Sequence, residues 1–135
     1  MNGKQQHTLK ERFQHRRDED FMSIWKWNDV ELEVDMEDAD FQEKYENAFQ
    51  YIEVKEKELQ KAGKLSEITK DYCEMFWNLF DDIFGQGTAD RLFKGKKHSG
   101  LCEECYDSFI SFCSNQVKEI NKKRNSRFAK YKVKK

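Results

Sequence analysis

The amino-acid sequence predicts a predominantly α protein: a small helical bundle of three main helices plus a short helix, with an N-terminal β-hairpin. Three observations carry that prediction. The 135 residues include no proline and only six glycines, which leaves helices uninterrupted and makes each glycine a punctuation mark. Apolar residues recur three or four positions apart over most of the chain, the period of a helix with one buried face. In a single stretch, Ser23 to Val34, the period drops to two. A chain of this length suits one hydrophobic core, and 37% apolar residues, eleven Phe among them, supply the bulk to fill it.

The elements follow in order. Residues 1–21 carry only Leu9, Phe13 and Phe21 as widely spaced apolar positions, so they read as an arm that is frayed or ordered by a partner. Met22 is placed to act as an internal start, which makes the arm an extension. In the hairpin, Asn28-Asp29 serves as a two-residue turn, setting Trp27 opposite Val30 and Trp25 opposite Leu32. That register puts Trp25, Trp27, Val30, Leu32 and Val34 on one face. A lone hairpin is marginal in water, so this face must lie on the helices that follow or on a partner.

A first helix is expected from near Asp40, where Asp40 and Glu43 fit a capping pair, to Gly63. Its stripe is Phe41, Tyr45, Ala48, Phe49, Ile52 and Leu59. Ser66 is expected to cap a second helix running to Phe84 and stopped by Gly85. Ile68, Tyr72, Met75, Phe76, Leu79, Phe80 and Ile83 give it the strongest amphipathic stripe, so it is expected to be the core helix. Thr88 is expected to cap one or two turns over Ala89 to Lys94, ended by Gly95. The last helix starts near Ser99 and carries Leu101, Cys102, Cys105, Phe109, Phe112, Cys113, Val117 and Ile120 on one side. The domain is therefore 22–121, and 122–135 form a basic C-terminal extension, helical and exposed or disordered.

The net charge of −1 conceals segregation along the chain. Residues 1–17 carry +4, residues 18–82 carry −13 and residues 83–135 carry +8. An acidic body between basic ends suits electrostatic pairing with a partner or with another copy, or neutralisation as the helices fold back on one another. No apolar run approaches the roughly 20 residues needed to span a bilayer, and the N-terminus lacks the apolar core of a signal peptide. A cytoplasmic protein is expected, with Cys73, Cys102, Cys105 and Cys113 as free thiols.

Four constellations bear on chemistry. His98, Cys102 and Cys105 are spaced as zinc ligands, with Cys73 or Cys113 as a fourth, but no second knuckle pairs with them, and both close cysteines lie in an apolar stripe. Packing is the favoured reading. Gly85-Gln86-Gly87-Thr88 precedes a helix start with Lys94, Lys96 and Lys97 nearby, yet lacks the ending of a P-loop, so capping is favoured over phosphate binding. Asp35, Glu37, Asp38 and Asp40 do not follow a calcium loop and suit a helix N-terminus. Lys122, Lys123, Arg124, Arg127 and Lys130, interleaved with Phe128 and Tyr131, have the character of a nucleic-acid tail or of a solvated helix end. His7, His15 and His98 all lie in polar segments without a nucleophile beside them, so no catalytic residue, cofactor or enzyme activity is expected.

The segments VELEVDMEDAD at Val30 to Asp40, EKYENAF at Glu43 to Phe49 and FDDIFGQGT at Phe80 to Thr88 resemble a family of small phage and prophage proteins. These are encoded among tail genes of Gram-positive phages and are similar to tail assembly chaperones or minor tail-morphogenesis proteins. The resemblance covers roughly Met22 to Tyr131, and the glycine turn followed by Leu92, Phe93 and a cysteine-bearing helix is its most specific part. It implies a bacterial host cell, a tail-component partner and action through protein contacts, and it brings no catalytic residues. The contact surface expected is the hairpin face around Trp25, Trp27 and Leu32, because tryptophan is favoured at interface hot spots, with Asp35, Glu37, Asp38 and Asp40 beside it. The alternative is an anti-CRISPR-like inhibitor of a bacterial defence nuclease, its acidic stretch mimicking DNA. Self-association is open on either reading.

Overall fold

The computed structural model describes residues 23–133; the arm expected over residues 1–21 lies outside them. The fold is the helical bundle with an antiparallel hairpin that the sequence predicts. β1 (Ile24–Trp27) pairs with β2 (Val30–Glu33), and Trp27 faces Val30 while Trp25 faces Leu32. Asn28 turns the chain at φ 54°, a left-handed conformation that Asn adopts more readily than most residues.

α1 spans Ala39–Glu58 and α2 Leu65–Phe84, followed by the short α3 (Thr88–Phe93) and by α4 (Ser99–Val133). α2 packs against α1, α3 and α4, and β1 lies on α4. As its stripe predicts, α2 is the core helix: Met75, Phe76, Leu79, Phe80 and Ile83 are all buried. Burying each such side chain contributes about 1.5–3 kcal/mol. The centre of the core is aromatic, with Phe80 edge-on to Phe109 at 5.5 Å and to Phe93 at 5.9 Å.

Several caps differ from those expected. α1 begins at Ala39 because Asp38, two residues before the expected start, takes the N-cap position, its carboxylate accepting from the Asp40 N–H at 3.2 Å. It ends at Glu58 rather than Gly63, where the apolar stripe has thinned. The N-cap of α2 is Lys64, not Ser66, and its carbonyl accepts from Glu67 and Ile68. Gly85 ends α2 as expected, its N–H donating to the Asp81 carbonyl. Thr88 is buried inside α3 instead of capping it; the Asp81 carboxylate accepts from the Ala89 N–H at 2.9 Å. That carboxylate already satisfies a donor at the α3 start, where the phosphate reading places an anion. Lys94, at φ 52°, closes α3 in place of Gly95. The Lys97 ammonium then sits 4.2 Å above the Trp77 ring, which stacks on Phe93.

Candidate functional site

The hairpin face divides into a buried and a half-buried part. Trp25 is 2% exposed, stacked on Phe80 at 5.7 Å and tilted against Phe109 at 5.2 Å. Its indole N–H donates to Ser108 Oγ on α4 at 3.0 Å, giving the polar end of a buried indole the partner it needs. Trp25 is therefore corrected from a contact residue to a core residue, since the surface a partner needs is already taken by α2 and α4. Trp27 and Leu32 are half-buried against the same core.

The corner between β2 and α1 is fixed by two glutamines absent from the sequence reading. Gln116, buried on α4, accepts from the Met36 N–H at 2.6 Å and donates to the Val34 carbonyl at 2.8 Å. Gln42 donates to the Met36 carbonyl at 2.7 Å. Backbone groups beyond the end of a strand need partners when buried, and these amides supply them as a neighbouring strand does. The signal was present in the sequence: Gln116 lies three residues after Cys113 and four before Ile120, a polar residue at a core position.

The zinc constellation is taken apart by the start of α4. His98 Nδ1 accepts from the Leu101 N–H at 3.2 Å and the His98 carbonyl accepts from Cys102, so His98 is exposed and caps the helix. Cys102 and Cys105 point inward with Cys73 and Cys113, all four fully buried. Burial pushes the Cys102 and Cys113 thiols up to about 12 and Cys105 higher still; Cys73 is raised too, again by burial. Thiols held protonated are poor ligands and poor nucleophiles. Among the described residues, no three His, Cys, Asp or Glu side chains stand together as a metal site.

The acids Asp35, Glu37, Asp38 and Asp40 are all exposed on the corner. Asp35 accepts from the Glu37 N–H at 3.0 Å, and Asp38 caps α1. They are local caps that also form an acidic rim.

Among the described residues, the longest exposed stretch of helix is the end of α4. Every residue from Asn121 to Tyr131 is exposed, with Phe128 at 58% and Tyr131 at 54%. Lys122, Lys123, Arg124, Arg127 and Lys130 lie along the same segment; Lys122 is within 3.8 Å of Glu119. At the base of this segment, Met36, Gln42, Tyr45, Glu46, Val117 and Ile120 line a groove of about 170 Å³ that reaches Arg124. Among the described residues, no helix is long and apolar enough to cross a membrane.

Comparison with known proteins places the chain in a family. Residues 28–135 match the model of a family of unknown function, DUF6673, and the chain belongs to it. No curated protein and no solved structure matches the chain.

Proposed function

We propose that this member of the family is a non-enzymatic assembly protein that works through protein contacts, similar to a phage tail assembly chaperone. The observation that carries the reading is the exposed end of α4, where Phe128 and Tyr131 stand clear of the bundle among basic side chains. Exposed aromatic rings framed by charge are typical of surfaces that bind other proteins. The resemblance of Val30 to Asp40, Glu43 to Phe49 and Phe80 to Thr88 to phage tail proteins supplies the setting, a bacterial host cell. A tape-measure or tube protein from the same tail gene cluster is the expected client.

Co-expression with those tail proteins tests the proposal. A complex that co-purifies at high salt and is lost with Phe128→Ala and Tyr131→Ala supports it, because apolar contacts tolerate salt. Recovery of neither tail protein with the wild-type chain overturns it. The acidic rim of Asp35, Glu37, Asp38 and Asp40 favours a second reading, a DNA mimic that blocks a defence nuclease. In that case nuclease binding falls steeply with salt and survives the two α4 replacements.

A further inference from the structure

We propose that the end of α4 pairs antiparallel with the same segment of a second copy of this chain, centred on Arg124. This rests on the reading of that segment as a protein-contact surface and names a second copy as its occupant until a client displaces it.

The argument begins with spacing. Along α4, Val117, Ile120, Arg124, Phe128 and Tyr131 stand at −7, −4, 0, +4 and +7 about Arg124. Residues three, four and seven apart share one helix face, and the set is palindromic. Two such helices crossing antiparallel at Arg124 bring Tyr131 of each onto the exposed Val117 of the other, and Phe128 over the groove whose floor is the buried Ile120. The reach matches, because seven residues of helix span about 10.5 Å in either direction.

The receiving side is already shaped. Val117 and Ile120 line the groove with Met36 and Tyr45, while Phe128 and Tyr131 lie on the exposed continuation of the same stripe. Each copy offers two rings and one groove, which is the self-complementarity of an isologous two-fold contact. Charge agrees with shape. The segment from Asn121 to Tyr131 has five basic side chains and no acid. It meets Glu46 in the groove and the exposed Asp35 and Glu37 that flank Met36 in the chain. The two Arg124 guanidiniums at the axis each have a Glu46 carboxylate along the same groove.

The test uses the full chain. Sedimentation across a wide range of protein concentration should give a reversible dimer, and Phe128→Ser with Tyr131→Ser should weaken it at least about tenfold, as loss of central aromatic contacts does. Circular dichroism should be unchanged, since both positions are exposed. A chain carrying Val117→Cys and Tyr131→Cys has those positions 14 residues apart on one helix, about 21 Å, too far for an internal disulfide. Mild oxidation should therefore link two copies, and neither single replacement should do so. A monomer at every concentration, a dimer indifferent to the two serines, or equal cross-linking by a single replacement overturns the proposal. A monomer that retains an oligonucleotide through Phe128 and Tyr131 overturns it in favour of nucleic-acid binding. A monomer that still captures a tail protein through those rings overturns the pairing and leaves the assembly reading standing, whereas a dimer that captures none removes that reading alone.

Discussion

Gln116 holds Met36 by the backbone: its side-chain oxygen accepts from the Met36 N–H at 2.6 Å while its nitrogen donates to the Val34 carbonyl two residues earlier. One side chain thus fastens the hairpin, the start of α1 and the middle of α4 together. Gln116→Leu keeps the volume and strands two buried backbone groups, at about 1–3 kcal/mol each. Urea unfolding should show a stability loss of that order, far above that of Asn115→Leu at the exposed neighbouring position of the same turn.

Trp25 and Ser108 give a second prediction. Trp25→Ala empties a fully packed site and should cost about 3–5 kcal/mol. Trp25→Phe retains much of the ring packing but loses the 3.0 Å bond to Ser108, and Ser108→Ala loses the same bond, at about 1 kcal/mol. The double replacement should cost less than the sum of the two singles in an unfolding cycle. Simple additivity would show that the bond contributes nothing to stability.

The four thiols predict both chemistry and pH dependence. In the native state they should resist a thiol reagent at neutral pH and react together only on unfolding, because all four are fully buried. Burial raises Cys102 and Cys113 from 9.0 to about 12, and Tyr45 from 10.0 to about 12. A raised folded-state value means that the unfolded chain gives up its protons first. Stability is therefore unaffected below about pH 9 and declines as pH climbs toward 12, which alkaline titration of the unfolding midpoint reads directly.

His98 predicts insensitivity to metal removal. Because its ring nitrogen caps α4 through Leu101, a chelator should leave thermal unfolding unchanged. His98→Asp should preserve stability and His98→Ala should lower it by about 1 kcal/mol. A large destabilisation by the chelator would favour the zinc reading over packing.

The turn of the hairpin was legible and is open to test. Asn28→Gly should be close to neutral, whereas Asn28→Val forces a branched side chain into positive φ and should cost about 1–2 kcal/mol. Period-two patterning set the register because a slip of one residue would turn both tryptophans outward. The same pattern is silent on what covers that face, which is why Trp25 read as a contact surface and proves to be core. Gly85 stops α2, as a glycine just past an apolar stripe implies. Ser66 was not the cap expected, since α2 already begins with the Lys64 carbonyl as its first acceptor. His98, Cys102 and Cys105 have ligand spacing along the chain, but spacing does not tell that one side chain turns back to cap its helix while the others face inward. The role of Gln116 is not legible in the sequence, because an amide in an apolar stripe has a meaning only once the backbone it serves is in place.

α4 is 35 residues long, about 52 Å at the rise of a helix, and has neither glycine nor proline after Gly100 to bend it. Its exposed end has the geometry of a lever arm projecting from the bundle. Tyr131 lies fifteen residues beyond Gln116, about 22 Å, so a tilt of about 10° at the glutamine swings the ring by about 4 Å. Any tilt at the corner that Gln116 and Gln42 fasten would therefore be largest at the tip, and a load applied at the tip would be borne by that corner.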